Sequence, residues 1–403
     1  LKPHILKTPL PVTQTSLLPV PDADALDHSH ACAAHIHAEI ERHNGWISFA
    51  QFMDLALYAP GLGYYAAGAR KFGAAGDFVT APEISSLFGD CIARSVAETI
   101  RTTHGDVLEL GPGSGKLACD VLLALDKLNQ LPKNYFLLEV SADLRQRQTQ
   151  ALARLPSHLS ERAIWLDMLP KNFAGTIIAN EVLDVLPVHL LYFSGDQIYE
   201  RGVASLADER FVWRDNLVVS PALKSIANRI QACFADGIMP NNYLTEVAPA
   251  VGGLVKSLAE SLASGTILLI DYGFRQAEFY HPSRSTGTLM CHYRHYAHTD
   301  PFLYPGLQDI TAHVDFSDVA EAGINAGLEL INYTSQAQFL LTAGITELLA
   351  QHDADDAATF LPLTNQAQRL LSPAEMGEFF KVIGFSKGGC EIPALANARP
   401  MPL

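Results

Sequence analysis

Asp106-Val107-Leu108-Glu109-Leu110-Gly111-Pro112-Gly113-Ser114-Gly115 is the stretch on which the fold turns. Val107 to Leu110 reads as a short apolar strand carrying one acid, and the residues after Gly115 read as a helix through Leu125. Glycine has no Cβ, so a ligand can approach the backbone at Gly111, Gly113 and Gly115. The start of the helix presents N–H groups that no carbonyl of its own can take. A strand, a glycine turn and a helix in this order begin a parallel α/β unit, whose ligands sit beyond the carboxyl ends of the strands.

Two cofactor classes use such a turn. Dinucleotide enzymes place pyrophosphate there with the spacing G-x-G-x-x-G. Here the spacing is G-x-G-x-G with Glu109 just before it. A carboxylate at that point repels pyrophosphate and suits the cationic end of S-adenosyl-L-methionine. Glu139 ends the next apolar run and can accept hydrogen bonds from both ribose hydroxyls, in either cofactor class. Asp167 and Met168 end the third strand, where they would flank the adenine. The bland alternative is a tight strand–helix connection with no ligand. The rival cofactor is a nicotinamide, but no Tyr here is followed four positions later by Lys, the pair a hydride-transfer enzyme often uses.

Outward from the turn, strands at Tyr135 to Val140, Ala163 to Leu166 and Thr176 to Ala179 alternate with helices. That alternation predicts parallel pairing with right-handed crossovers. After Pro187 three strands follow one another (Val188 to Phe193, Gln197 to Val203, Glu209 to Trp213), which predicts an antiparallel insertion. The α/β rhythm resumes with a helix near Pro249 to Ala263 and a fifth strand, Thr266 to Ile270. Asp271 to Asp315 reads as a long loop rich in His and Tyr. Strands near Leu328 to Thr334 and Lys381 to Phe385 close the chain. The expected class is α/β: a Rossmann-like, doubly wound sheet with a helical N-terminal segment and an inserted antiparallel and helical subdomain. The expected divisions are a tail over 1–23, a helical segment over 24–104, the first half of the core over 105–187, the insertion over 188–240, and the second half over 241–403 with a loop insertion at 272–315. Ser48 is the expected N-cap of a helix through Leu57.

Composition narrows the partners. The chain has 403 residues, enough for two domains or one domain with insertions. The formal charge of −15 repels a phosphate backbone, so nucleic acid is not an expected partner. No run of about 20 apolar residues is present, so no membrane insertion is expected. Six scattered cysteines without a C-x-x-C pair suggest a reducing compartment and no metal clip. His292, His295 and His298 lie in a stretch that reads as a loop, and that His-rich stretch reads as a docking loop rather than a metal site. The Pro- and Thr-rich stretch Leu1 to Val20 reads as a loose tail.

Methyl transfer from a sulfonium is an in-line displacement, so the protein mainly aligns the nucleophile and excludes water. Asn180-Glu181-Val182-Leu183-Asp184 follows the fourth strand and would face the donor methyl. Carboxylates can fix a guanidinium by paired hydrogen bonds and concentrate its electron density on one nitrogen. Glu181 and Glu246 are the candidate pair, with Asp184 beside them. Glu246 could equally flank the helix that follows it, and Asp184 could begin the helix after strand four.

Several stretches match a known family in order: Gly76-Asp77-Phe78-Val79-Thr80-Ala81-Pro82-Glu83-Ile84-Ser85, the turn Glu109 to Gly115, Leu138-Glu139-Val140-Ser141, Ala179 to Pro187, Glu246-Val247-Ala248-Pro249, Asp271-Tyr272-Gly273-Phe274 and Gln308 to Phe316. The chain from about Ile47 resembles the MidA-like class I methyltransferases. That family includes a mitochondrial complex I assembly factor described as a protein arginine methyltransferase. The resemblance implies S-adenosyl-L-methionine as donor and a protein substrate, with an arginine of a complex I subunit as the first candidate. It implies that Gly76 and Thr80 help close the cofactor site, together with Val140 and Asn180. An assembly chaperone that binds the cofactor without needing catalysis is the alternative role. A bacterial cytoplasm is the expected compartment, with the mitochondrial matrix as alternative, and a homodimer stays open.

Overall fold

The computed structural model describes residues 18–66, 79–234 and 239–403. Its strands, in chain order, are β1 (Ile47–Ser48), β2 (Asp106–Leu110), β3 (Tyr135–Leu138), β4 (Ala163–Leu166), β5 (Phe173–Asn180), β6 (His189–Ser194), β7 (Gln197–Ser205) and β8 (Phe211–Leu217). They continue with β9 (Tyr243–Val247), β10 (Leu262–Phe274), β11 (Met290–Tyr293), β12 (Tyr296–His298), β13 (Asp309–Thr311), β14 (Val314–Asp315), β15 (Glu329–Ser335) and β16 (Phe380–Lys387).

The main sheet runs β15-β16-β10-β5-β2-β3-β4, with β14 added beside β10. From β10 to β4 every pairing is parallel, and β16 closes the other side by antiparallel pairing with both β10 and β15. This is the doubly wound, Rossmann-like sheet expected from the alternation. Its strands are apolar almost throughout because both faces are covered. Val107, Ile178, Leu268 and Ile270 pack on one side against the helices Ser86–Thr103 and Lys116–Lys127. Leu108, Ile177, Ile267 and Leu269 pack on the other against Pro249–Ser261 and Phe316–Asn325. Neighbours in sequence thus point to opposite layers, as the two-residue period of a strand requires.

Ser48 caps the helix Phe49–Tyr58 as expected, within a reciprocal box: its Oγ accepts from Gln51 N at 3.2 Å, and Gln51 Oε1 accepts from Ser48 N at 3.1 Å. The second sheet runs β1-β7-β6-β9, with β8 on the outer side of β7. Two of its strands lie outside the expected insertion. Tyr243–Val247 pairs with β6, so the boundary at 240 falls too early, and Ile47–Ser48 reaches in from the N-terminal segment. Two-residue and five-residue strands carry too few residues to show a period, and pairing partners supply the rest.

The stretch Asp271 to Asp315 is not one loop. β10 continues to Phe274, and β11, β12 and β13 form a small antiparallel sheet. Its Cys291 and Ile310 are buried against Phe52, Tyr64 and Ile36 of the N-terminal segment. The histidines gave this region a polar look, yet His292 and His298 are both buried. Among the described residues no helix is long and apolar enough to cross a membrane.

Candidate active site

A cavity of about 280 Å³ lies beyond the carboxyl ends of β2, β3 and β5. Gly111 and Gly113 line it, at φ +58° and +55°. That left-handed backbone is the one glycine adopts without steric cost. Gly115 has φ +81° but is not among the lining residues. A Cβ there would stand 3.2 Å from Gln148 Cα, so Gly115 allows the close approach of the helix Ala142–Leu152. The N-cap of the helix Lys116–Lys127 is Gly115 itself, and Ser114 Oγ accepts from the first helical amide, Lys116 N, at 3.3 Å.

Glu109 lines the cavity and is only 3% exposed. Its Oε2 accepts from the Tyr135 hydroxyl at 2.6 Å. Burial pushes its carboxyl up to about 7; the Tyr135 hydrogen bond opposes this and Glu139 adds to it. Glu139 also lines the cavity, accepting from Ser141 N at 2.9 Å and Gln148 Nε2 at 3.0 Å. The same Gln148 nitrogen donates to Gly113 O at 3.0 Å, and Gln148 Oε1 accepts from Trp165 Nε1 at 2.8 Å. Gln148, fully buried, therefore ties the glycine turn to the acid of the next strand.

Val140 stands at the rim of the cavity, 80% exposed. Thr80 lines it too, at the head of the short helix Ala81–Ile84. Glu83 of that helix accepts a hydrogen bond from Ser114 in the glycine turn. Gly76 lies outside the described residues. Asp167 and Met168 are not among the lining residues, and Met168 is 76% exposed. Arg145 holds Glu139 O and Leu166 O, each at 2.7 Å, and pairs with Asp167 at 2.8 Å, so it ties the ends of β3 and β4 together.

Asn180, Glu181 and Asp184 all line the cavity. Asn180 Nδ2 donates to Glu181 Oε1 at 3.3 Å. Glu181 has φ +53°, a left-handed backbone that costs a residue with a Cβ. Its N–H donates to Ile270 O at 2.9 Å on the neighbouring strand. Opposite the glycine turn the wall is made by Tyr58, Tyr65 and Asp309. Tyr65 Oη donates to Asp309 Oδ1 and Tyr58 Oη to Val185 O, each at 3.0 Å, and the two rings stack at 5.6 Å. Burial, then the charges of Asp309 and neighbouring groups, pushes both hydroxyls well above the usual range.

Glu246 is not brought to this cavity, which corrects the expected pairing with Glu181. Its Oε1 accepts from the backbone of Thr288 at 2.8 Å and of Leu289 at 3.0 Å, and its Oε2 from Thr288 Oγ1 at 3.2 Å. Antiparallel β9 directs it into the 286–289 turn instead. Among the described residues no group of His, Cys, Asp and Glu is placed to hold a metal.

Residues 91–334 match the family model described as "Putative S-adenosyl-L-methionine-dependent methyltransferase", which is more than half of the chain. The chain belongs to this family of S-adenosyl-L-methionine-dependent methyltransferases. Its motifs place it with the MidA-like class I members, and the nicotinamide alternative is set aside. A Burkholderia thailandensis relative, crystallised with S-adenosyl-homocysteine, is 46% identical; the match covers 94% of this chain and 98% of that one, with a TM-score of 0.90. A Danio rerio protein, "Protein arginine methyltransferase NDUFAF7, mitochondrial", is 29% identical across 85% of each chain. A Caenorhabditis elegans homologue of the same name is 28% identical across 76% of this chain and 75% of its own.

For a methyltransferase with this cavity, Tyr58, Tyr65, Asp309, Tyr135 and Gln148 are the residues that sequence reasoning missed. The motif around Asp309 was visible, but nothing local joins it to Tyr58 and Tyr65. Gln148 gave no signal, because a glutamine on a helix normally reads as a solvated face.

Proposed function

We propose that this methyltransferase moves the methyl group of S-adenosyl-L-methionine to an arginine side chain of a protein. The carrying observation is Glu181, held in a left-handed turn at the end of β5 on the wall of the cavity that the glycine turn also lines. The names of the relatives support the acceptor, since both animal proteins are called protein arginine methyltransferases. The complex I subunit implied by the family resemblance is the first candidate substrate.

In this reading Glu109 faces the cationic end of the donor, Glu139 takes the ribose hydroxyls, and Thr80 stands at the mouth. Asn180 borders the methyl. A guanidino nitrogen forms the new bond to the methyl carbon, the carbon–sulfur bond breaks with its electron pair going to sulfur, and the proton of that nitrogen passes to Glu181. Before that, Glu181 accepts an N–H and concentrates electron density on the attacking nitrogen. Asp184 and Asp309, which also line the cavity, add negative charge to it. A lysine must lose its proton before it can attack, and nearby carboxylates make that harder. A guanidinium attacks while still bearing its charge, so an acidic wall favours arginine over lysine. The Tyr58 and Tyr65 rings suit the same planar cation.

The Burkholderia thailandensis relative shares more sequence with this chain than the two mitochondrial proteins do, which favours a bacterial cytoplasm as its compartment over the mitochondrial matrix. The test is incubation of the protein with labelled donor and a lysate of its source, followed by mapping of the label. Label on protein arginine supports the reading, and label elsewhere sinks it. Glu181→Gln should lower turnover about a hundredfold or more with donor affinity unchanged. Full biological rescue by that variant would instead favour the chaperone role.

A further inference from the structure

We propose that Asp271 is a positioning residue for methyl transfer: from the end of the neighbouring strand, its carboxylate shapes the turn that aims Glu181 and Asp184. The inference rests on the reading of Glu181 given above. Asp271 lies in β10, is fully buried, and is not among the residues lining the cavity. Its Oδ2 accepts from two consecutive amides, Leu183 N at 2.9 Å and Asp184 N at 3.2 Å. Its Oδ1 accepts from its own neighbour, Tyr272 N, at 2.9 Å.

β5 and β10 run parallel in register up to the pair Asn180–Ile270, which brings Glu181 and Asp271 to the same level as β5 ends. A parallel strand would continue with slanted amide-to-carbonyl bonds. Here Glu181 N still donates to Ile270 O, but the backbone then turns left-handed, and the next ladder positions are replaced by the Asp271 side chain. Two buried amides are thereby satisfied without a strand. The other face of the turn is held by Ala312 N, which donates to Asp184 O at 2.9 Å. Glu181 thus sits between a backbone anchor on one side and a carboxylate template on the other.

The arrangement places negative charge where it is costly. Burial, with Asp184 and Glu181 nearby, pushes the Asp271 carboxyl well above its usual range, while the amides of Tyr272 and Leu183 pull the other way. An asparagine would occupy the same space. However, its single acceptor oxygen cannot serve both sides, and its NH₂ would face either Tyr272 N or the Leu183–Asp184 amides, donor against donor. An uncharged residue that merely filled the volume would not hold the turn.

Asp271→Asn tests this in the full-length protein, with labelled S-adenosyl-L-methionine as donor and a fixed amount of source lysate as acceptor. The expected result is a folded protein with donor Kd and donor KM within about threefold of the parent and kcat about a hundredfold lower, as a small misplacement of reacting groups produces. Hydrogen exchange should show the amides of Leu183 and Asp184 losing protection. Asp271→Asn with kcat within about threefold of the parent overturns the proposal, as does a fall in donor affinity that accounts for the whole loss of rate. If Asp271→Asn does not fold, Asp271→Glu carries the test, since it keeps the charge and moves the carboxylate by one methylene. Retained kcat in that variant overturns the proposal in the same way. Full activity of Glu181→Gln would bring down the reading of Glu181 itself, which the Asp271 variants do not decide.

Discussion

Glu109 and Glu246 are the same residue in nearly the same degree of burial, 3% and 2% exposed, and each sits on a β-strand of its own sheet. Their partners differ. Glu246 accepts from two backbone amides and a hydroxyl and closes a turn of its own fold. Glu109 accepts from one tyrosine hydroxyl and lines the cavity beyond β2, β3 and β5. Burial pushes both carboxyls up, but Glu246 has amides to hold its charge, whereas the cause opposing burial at Glu109 is a single hydroxyl. A buried carboxylate saturated by its own backbone is structural. One that is not saturated and faces a cavity can answer to a cationic ligand.

The largest effect expected concerns the turn beside Glu109. Gly113→Val places a β-branched side chain at φ +55° on the cavity wall, and calorimetry should find donor binding at least a hundredfold weaker, or roughly 3 kcal/mol. Unchanged binding by a folded Gly113→Val protein would remove the glycine turn, and Glu109 with it, from the cofactor site.

The next effect belongs to the other carboxylate. Glu246→Ala leaves the Thr288 and Leu289 amides without their acceptor, which should cost about 2–3 kcal/mol of stability in denaturant unfolding. Donor Kd and kcat measured on the folded fraction should stay within about twofold. A large loss of kcat at full stability would return Glu246 to the catalytic pair that its sequence position suggested.

The two walls of the cavity also differ in how far sequence disclosed them. The wall of Glu109, Gly111, Gly113 and Glu139 is built within two adjacent strand–helix units, where period and turn chemistry can be read directly. Glu181 was legible for the same reason, since it follows a strand whose end must face the ligand. The opposite wall joins Tyr65 to Asp309, which stand 244 positions apart. Only the packing of the N-terminal helices against the small β11–β13 sheet brings them together. Glu246 misled because a strand end in an antiparallel insertion looks, in sequence, like a strand end in the core. Asp167 and Met168 follow β4, the edge of the sheet, where Arg145 pairs with Asp167.

The smallest effect separates the two carboxylates by pH. In the free protein Glu109 titrates near 7, against an ordinary value of 4.5. Its folded pKa is raised, so the stability it contributes is fully present below about 4.5 and is lost as pH rises through 7, by at most about 3 kcal/mol. Glu109→Gln should remove this slope, and its melting temperature should gain on the parent between pH 5 and pH 8. Donor binding should run in the opposite sense. The cationic donor favours the ionised carboxylate, so binding releases a proton, and the affinity of the parent should fall roughly tenfold per pH unit below 7 until the bound form itself protonates. Glu109→Gln should bind about tenfold more weakly at pH 8 and show little of this dependence. Calorimetry in two buffers of different ionisation enthalpy reads the proton directly. A parent protein that takes the donor with no proton release near pH 7 would mean that Glu109, like Glu246, serves only its own fold.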